Sequence, residues 1–151
     1  MQKLIFLFAI ILAISFAVPP PGDEVTKLPG WDENNGTLKS KMYAGFINAG
    51  NRTDAGVGYN LTEHYIFFES ENDPVNDPLI VWTNGGPGAD SYFGLFTELG
   101  PYYVDGSSIA GKDPSEVPTL FSNTYSWTKN HSLVIINSPP PVGYSYCNVT
   151  G

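Results

Sequence analysis

The sequence predicts an α/β protein with a central sheet, and three segments support this prediction. Residues 79–82 and 133–136 are short, fully apolar runs, which are typical of strands buried on both faces of a sheet. Residues 91–99 follow a glycine- and proline-rich loop and have the apolar spacing of a helix. A buried strand that passes through a loop into a helix is typical of α/β domains.

The segments before residue 79 are expected to form an entry segment and two strands. Residues 18–40 are polar and turn-rich, which indicates an extended segment. Residues 42–48 predict a strand that ends in a turn at residues 49–51. Residues 63–69 are rich in aromatic, β-prone side chains and predict a second strand.

The predicted helix has recognisable ends. Asp90 and Ser91 are candidate caps at its start. Gly100 and Pro101 form a typical helix stop at its end. Its apolar face is predicted to consist of four side chains: Phe93, Leu95, Phe96 and Leu99.

A single helix is too little to cover such a sheet. Residues 102–104 predict a further short strand and residues 105–124 a loop, so no second helix is expected there. Apolar strands such as 79–82 and 133–136 need cover on both faces, and uncovered ones aggregate. We therefore expect this chain to be part of an α/β domain.

Composition narrows the function classes. The 151 residues are 42% hydrophobic, which is typical of a globular chain. Acidic residues outnumber basic ones by 15 to 7, a net charge of −8, which argues against a nucleic-acid partner because no basic face can form. The single cysteine, Cys147, excludes a disulfide framework and a cysteine-based zinc cluster within the chain. No metal or organic cofactor is implied.

The first 17 residues predict a secretory signal peptide. Lys3 precedes a largely apolar run over residues 4–16, and Ser15 and Ala17 are the small residues that a signal peptidase requires. The alternative is a membrane anchor, but this run is shorter than the roughly 20 residues that a span needs. We expect cleavage after Ala17 and no membrane anchor in the mature chain.

Five Asn-x-Ser/Thr sequons agree with a secretory route, whereas chance would give about two. Glycans are expected on surface loops of a secreted protein, although some sequons are never used. Asn130 is the doubtful site because it lies beside an apolar strand. The five candidate asparagines are Asn35, Asn51, Asn60, Asn130 and Asn148.

The loop at residues 84–88, Asn-Gly-Gly-Pro-Gly, is the candidate chemical motif. Glycines let the backbone approach a ligand with its N–H groups exposed, and N–H groups at a helix start stabilise negative charge. Oxyanion holes are built from such groups, and α/β-hydrolases draw one of them from a loop before the nucleophile. Taken alone, the same residues could equally form a tight turn.

Over residues 40–147 the chain resembles the serine carboxypeptidase family, which includes vacuolar carboxypeptidases of plants and yeast and lysosomal cathepsin A. Four blocks match in order: Tyr-Ala-Gly-Phe at 43–46; Phe-Phe-Glu-Ser at 67–70; Asp-Pro-Leu-Ile-Val-Trp-Thr-Asn-Gly-Gly-Pro-Gly at 77–88 with Glu-Leu-Gly-Pro at 98–101; and Tyr-Ser-Trp at 125–127 with Ser-Pro at 138–139 and Val-Gly-Tyr-Ser-Tyr at 142–146. The resemblance implies an incomplete α/β-hydrolase fold, with residues 41–151 forming the N-terminal part of the central sheet.

The resemblance also implies the release of C-terminal amino acids from peptides at acid pH. Gly86 would donate its N–H to the oxyanion, and Asn84 and Gly85 would bind the terminal carboxylate of the substrate. Glu98 would pair with another carboxylic acid near the nucleophile. Two carboxyl groups in direct contact share a proton, and the protonated group can donate a hydrogen bond to the substrate carboxylate.

The catalytic triad of the family is not expected in these 151 residues. No Gly-x-Ser-x-Gly elbow occurs, and Ser145 matches a different family block. His64 and His131 both precede the place where the nucleophile would stand, so a strand role and a loop role are expected for them. We therefore expect this chain alone to be inactive.

Several residues depart from the family pattern. Ala89 and Asp90 stand where Cys-Ser is usual, and the Asp90 charge would oppose an anion nearby. Pro141 replaces a glycine and removes an N–H group. Asn137 replaces an aspartate, and Cys147 is either free or paired with a cysteine outside this sequence.

Three functional hypotheses remain open from sequence. The first is a truncated serine carboxypeptidase, located in the secretory pathway and then secreted or lysosomal or vacuolar. The second is a secreted, non-catalytic glycoprotein that binds peptide C-termini or a partner. The third is an acyltransferase-like relative that reuses the same site. Substrate preference and oligomeric state are not determined.

Overall fold

A computed structural model describes residues 19–31 and 36–150 of the chain. The signal segment 1–17 and Asn35 therefore lie outside the described residues. One helix, α1, covers Ser91–Gly94 and continues as a π-helical turn over Leu95–Leu99. Two short 3₁₀ turns cover Gly106–Ile109 and Trp127–Lys129. The strands are β1 Glu24–Val25, β2 Met42–Asp54, β3 Val57–Phe68, β4 Leu79–Trp82, β5 Tyr102–Tyr103, β6 Phe121–Ser122, β7 Ser132–Ile136 and β8 Tyr146–Thr150.

Six of the strands form one mixed sheet in the order β1-β2-β3-β7-β4, and β8 pairs with the outer half of β3. The β4–β7 pair is parallel, and Val81 lies opposite Val134. The other pairs in this sheet are antiparallel. The two apolar runs of the sequence are therefore neighbours, as expected for an α/β protein, and β4 lies at the sheet edge.

The β2–β3 hairpin is longer than predicted. The expected turn at residues 49–51 is wrong, because β2 continues through a bulge between Asn48 and Gly50, where Asn48 Oδ1 accepts a hydrogen bond from Gly50 N at 2.7 Å. The hairpin instead turns at Ala55 and Gly56, both of which have positive φ angles, of 48° and 81°. A bulge absorbs an extra residue in one strand, so turn-forming residues need not end that strand.

The core lies on one face of the sheet. Phe68, Leu133 and Ile135 are at most 1% exposed beneath α1 and the loops. On the opposite face Leu79 and Val81 are 58% and 59% exposed, so the expectation that β4 is buried on both faces is wrong. Within residues 19–31 and 36–150, the single helix covers only the core face, which explains this exposure.

The helix begins where the sequence predicts. Asp90 is its N-cap, and Asp90 Oδ1 accepts a hydrogen bond from Tyr92 N at 2.9 Å. Leu95 and Leu99 are buried, but Phe93 is 64% exposed, so its place on the apolar face was predicted wrongly. Residues four apart share a helix face, and Phe93 lies about half a turn from Leu95.

Strands β1, β6 and β8 were not predicted. Two of them are only two residues long, too short to show a period. The short strand predicted at residues 102–104 is confirmed at Tyr102–Tyr103. The loop predicted over residues 105–124 is wrong at two places, because Gly106–Ile109 form a 3₁₀ turn and Phe121–Ser122 pair with β5 as β6. No helix in the described part of the chain is long and apolar enough to cross a membrane.

Candidate functional site

The candidate loop, residues 83–90, joins the end of β4 to the start of α1. Because β4 and β7 are parallel, their carboxyl ends meet at the same edge of the sheet. The segment that follows β7, residues 137–145, lies at this edge as well. Open α/β sheets bind ligands in the crevice outside the carboxyl ends of their strands, so this edge is the favoured place for a site.

Asn84 is held in one orientation. Its Oδ1 accepts a hydrogen bond from Trp82 Nε1 at 2.8 Å, and its backbone N donates to Ser91 Oγ at 3.1 Å. A Cβ atom at Gly94 would lie 2.8 Å from Asn84 Oδ1, so the glycine makes room for the amide. With Oδ1 occupied, the side-chain NH₂ group is left as a donor, and it has no partner among the described residues.

Gly85–Gly88 present their backbone to solvent. All four residues are exposed, and Gly86 and Gly88 have φ angles of 128° and 100°, which only glycine adopts without strain. The Ala89 N–H closes the turn by donating to Gly85 O at 3.3 Å. Among the residues that the structure describes, no acceptor engages the N–H of Gly85 or Gly86, so both are available to an anion.

Ser91 connects the loop to the rest of the fold. It is fully buried, and its Oγ donates to Ile136 O at 2.6 Å while accepting from Asn84 N. Its backbone N donates to Asn137 Oδ1 at 3.0 Å. One small side chain thus ties together the loop, the helix start and the end of β7. We call Ser91 and Asn137 the loop anchor.

Asn137 is the second half of the loop anchor. It is fully buried, its Nδ2 has no hydrogen-bond partner among the described residues, and a Cβ atom at Gly143 would lie 2.0 Å from that nitrogen. Sequence reasoning noted Asn137 only as a departure and Ser91 only as a cap. A polar residue placed directly after a fully apolar strand is the signal that could have revealed the anchor.

Glu98 lies one turn of helix beyond Gly94, the residue that packs on Asn84. Its side chain is exposed and makes no hydrogen bond within the described residues. Together with Tyr103 and Tyr125 it lines a cavity of about 280 Å³. Asn123 fixes the helix end beside it, because Asn123 Nδ2 donates to Glu98 O and Gly100 O. Glu98 is therefore near the loop but not bonded to it.

Ser145 and His64 have structural partners. Ser145 is buried, its Oγ donates to Asn137 O at 2.6 Å, and it accepts from His64 N at 2.8 Å. The His64 ring nitrogen Nδ1 is hydrogen-bonded to the Tyr92 hydroxyl. Burial lowers the pKa of His64, and the charges of Asp23 and Asp90 partly oppose this. Neither residue is hydrogen-bonded to Gly85–Gly88 within the described residues, and His131 lies in a loop before β7.

The other sequence-predicted positions are on the surface. Asn51, Asn60, Asn130 and Asn148 are all exposed. Cys147 is a free, half-buried thiol in β8. Within residues 19–31 and 36–150, no three His, Cys, Asp or Glu side chains are grouped so that they could hold a metal ion.

Comparison with known proteins identifies the family. The sequence model of the serine carboxypeptidase family matches residues 29–151, which is most of the chain. The chain belongs to the serine carboxypeptidase family. Serine carboxypeptidases are hydrolases, so the hydrolase and carboxypeptidase assignments made from sequence are confirmed at the level of the family.

Several serine carboxypeptidases are similar to this chain. Serine carboxypeptidase 1 of Hordeum vulgare is 42% identical over 127 residues, 84% of this chain and 23% of the relative. Serine carboxypeptidase-like 20 of Arabidopsis thaliana is 37% identical over 147 residues, 95% of this chain and 27% of the relative. The chain thus spans about a quarter of the length of these relatives.

A solved serine carboxypeptidase structure confirms the fold. The crystal structure of Kex1(Δ)p, a prohormone-processing carboxypeptidase from Saccharomyces cerevisiae, matches with a TM-score of 0.52 and 30% identity. The match covers 71% of this chain and 21% of that chain. The α/β-hydrolase type of fold, present as a partial chain, is therefore shown.

The structure places the residues that depart from the carboxypeptidase pattern. Asp90 is exposed, and its carboxylate caps the helix that follows the loop, where a negative charge stabilises the helix N-terminus. Ala89 supplies the N–H that closes the loop turn. Pro141 is exposed in the segment after β7. Asn137 belongs to the loop anchor.

Proposed function

We propose that this chain supplies the substrate-binding loop of a serine-type carboxypeptidase, an enzyme that releases C-terminal amino acids from peptides. One observation supports this proposal above the others. The side-chain oxygen of Asn84 is engaged by Trp82, so the amide NH₂ group remains as a donor beside the exposed N–H groups of Gly85 and Gly86. Family membership gives the reaction class.

The N–H donors of this loop can bind two negatively charged groups, the terminal carboxylate of the peptide and the oxyanion formed during its hydrolysis. Asn84 and Gly85 hold the terminal carboxylate of the peptide, and a carboxylate is a good acceptor for several N–H groups at once. Gly86 donates its N–H to the oxygen that becomes negative when the scissile carbonyl is attacked. Fixed donors stabilise this oxyanion more in the transition state than in the ground state, and loss of one such donor elsewhere costs about 3 kcal/mol.

Glu98 is proposed to act with a second carboxylic acid supplied from elsewhere in the enzyme. Two carboxyl groups in close contact cannot both ionise easily, so they share a proton. The shared proton then allows one of them to donate to the substrate carboxylate. Activity that depends on this pair is expected to fall as the shared proton is lost, so we propose that the enzyme prefers acid pH.

The nucleophile is proposed to arrive on a further strand. β4 is the edge strand in the described part of the sheet, so its outer edge can pair with another parallel strand. Such a strand would end beside residues 84–86, which is where a strand-to-helix elbow presents a serine in α/β-hydrolases. Residues 1–151 by themselves are proposed not to hydrolyse peptides, because Ser145 is buried and His64 is bonded to Tyr92.

The proposed route is the secretory pathway, with signal cleavage after Ala17 and a destination that is extracellular or lysosomal or vacuolar. The proposed substrates are peptide or protein C-termini. The relatives matched include plant and fungal carboxypeptidases, which is compatible with this assignment.

Two measurements test the proposal. The transcript is read past the codon for Gly151, and the longest product is then assayed with an N-acylated dipeptide and its C-terminal amide. A continuing frame with a Gly-Glu-Ser-Tyr elbow, later Asp and His codons, and release of the last residue from the free acid support the proposal. A stop after Gly151 together with inactive product contradicts it and leaves the non-catalytic binding protein.

A further inference from the structure

Trp82 donates to the Asn84 side chain, and the Trp82 ring in turn packs against a second tryptophan. Trp82 ends β4 and is half-buried beside α1. Its indole meets the indole of Trp127 edge to face, with ring centroids 5.6 Å apart and an interplanar angle of 87°. Such pairs bring the positive edge of one ring to the negative face of the other, so they favour one relative orientation of the two rings.

The helix also limits where the Trp82 ring can lie. A Cβ atom at Gly94 would lie 3.0 Å from Trp82 Nε1 and 2.8 Å from Asn84 Oδ1. These two atoms therefore lie directly against the backbone of α1, where they are hydrogen-bonded to each other. If the Trp82 ring turned away, Asn84 Oδ1 would lose this donor and the amide could rotate.

The 3₁₀ turn that carries Trp127 is held by buried polar groups. Ser126 and Thr128, on either side of Trp127, are both buried. Ser126 Oγ donates to Leu99 O at 3.2 Å, and Thr128 Oγ1 donates to Glu71 Oε1 at 2.8 Å. The backbone N of Glu71 donates to Thr128 O at 2.8 Å. Trp127 itself is 42% exposed, so it is a surface side chain on a firmly held turn.

We propose that Trp127 is a positioning residue for the carboxylate site. It holds the Trp82 ring, and Trp82 holds the Asn84 amide with its NH₂ group turned toward the ligand. A donor that is already oriented loses less conformational entropy on binding, so affinity depends on this chain of contacts. The inference rests on the proposed function, because it gives Trp127 a part in binding peptide C-termini.

Loss of the Trp127 ring should loosen the Asn84 side chain and leave the loop backbone in place. Asn84 N donates to Ser91 Oγ, a contact that involves neither tryptophan. The backbone N–H groups of Gly85 and Gly86 should therefore still be offered to an anion. We expect a partial loss of affinity that is confined to peptides with a free carboxylate.

The first test titrates the full chain with two peptides that differ only in a free or an amidated C-terminus. Trp127→Leu removes the ring, whereas Trp127→Phe keeps a ring that can pack edge to face with Trp82. Trp127→Leu should bind the free acid about threefold to tenfold more weakly, the range that one aromatic pair can supply, and bind the amide as the parent does. Trp127→Phe should keep about half or more of the parent affinity for the acid.

Phe46→Leu is the matched control, because Phe46 is an exposed aromatic residue whose ring packs on His64 and Tyr146. It should bind both peptides as the parent does. A purely structural role of Trp127 predicts an equal loss for the acid and the amide. Such an equal loss, or parent affinity of Trp127→Leu for the acid, overturns the proposal. Equal affinity of the parent for the two peptides overturns the proposed function, and the binding role of Trp127 with it.

A second measurement follows Trp82 directly and needs no peptide. The chain has three tryptophans, so their indole N–H signals can be resolved by NMR and their solvent exchange measured. Trp127→Leu should speed exchange of the Trp82 Nε1–H several-fold, because the ring is no longer held. The Trp31 Nε1–H, which donates to Thr37 O at 3.2 Å, should exchange as in the parent. An unchanged exchange rate at Trp82 overturns the proposal.

Discussion

The two loops at the carboxyl ends of β4 and β7 are alike in sequence and opposite in structure. Residues 83–90 and residues 137–145 are both rich in glycine and proline. In the first, Gly85–Gly88 are exposed, and no acceptor among the described residues engages the N–H of Gly85 or Gly86. In the second, Asn137 and Ser145 are buried, Asn137 Oδ1 accepts from Ser91 N at the helix start, and Ser145 Oγ accepts from His64 N on β3.

The difference assigns distinct roles to the two loops. We propose that the β4 loop donates to a ligand and that the β7 loop supports it, because Ser91 connects the two loops through Asn137. A binding loop on a rigid scaffold loses little conformational entropy when it binds. Changes in the β7 loop should therefore lower stability, and changes in the β4 loop should mainly lower binding.

The largest expected effect is in the β7 loop, from Gly143→Ala. Gly143 has a φ angle of 57°, and an added Cβ would meet Asn137 Nδ2 at 2.0 Å. Backbone strain and the clash together should lower the free energy of unfolding by about 3 kcal/mol, measured by urea denaturation of the protein. Gly106→Ala is the control, since nothing lies within 4 Å of its Cβ position. Equal denaturation midpoints for the two variants would contradict the supporting role.

Ser91→Ala should have the next largest effect, because it cuts the link between the loops. The change leaves Ile136 O and Asn84 N without their partner, so the free energy of unfolding should fall by about 2 kcal/mol. Peptide binding should weaken as well, because Asn84 is no longer held. Ser115→Ala, on an exposed turn, is the control for both measurements. Wild-type binding by Ser91→Ala would show that the anchor does not position Asn84.

Asn84→Asp should separate binding from stability in the β4 loop. An aspartate keeps the acceptor for Trp82 Nε1 but places a negative charge against the peptide carboxylate. Affinity for a peptide with a free C-terminus should fall at least about tenfold, or about 1.4 kcal/mol, while the unfolding midpoint stays close to that of the parent. Calorimetric titration measures the first quantity, and an unchanged affinity would exclude Asn84 from carboxylate binding.

The smallest expected effect concerns His64, whose ring packs against Tyr92 of the helix and Tyr144 of the β7 loop. Because burial lowers the pKa of folded His64, the unfolded chain binds a proton more readily below the ordinary value of about 6.5. The contribution of neutral His64 to folding stability is therefore fully present above about pH 6.5 and is lost as the pH falls below that value. His64→Phe, which keeps an aromatic ring beside Phe46, should flatten this slope in thermal melts recorded as the pH is lowered from about 6.5. If the melting temperatures of the parent and of His64→Phe changed equally with pH, His64 would not be the source of the pH dependence.

Much of the fold could be predicted from the sequence where burial produces a strong pattern. β4 was predicted with its observed bounds, and β7 to within one residue, because both are continuous apolar runs. Two features could not be predicted, because they depend on which segments pack together. They are the exposure of Leu79 and the pairing of residues 146–150 with β3. A local pattern shows that a strand is apolar but not whether anything covers it.

The candidate site was predicted from local motifs, and its support was not. Asn84, Gly85 and Gly86 are adjacent in sequence, so their position together on one loop follows directly. The anchor joins Ser91 to Asn137, which are 46 residues apart, and depends on the parallel pairing of β4 and β7. The roles proposed for these loop residues and for Glu98 remain predictions.

The central claim is that the β4 loop binds a peptide carboxylate, and one titration tests it most directly. The protein is titrated with two peptides that differ only in a free or an amidated C-terminus. We predict at least about tenfold tighter binding of the free acid, a preference that Asn84→Asp abolishes. Equal affinity of the protein for the two peptides would contradict the claim.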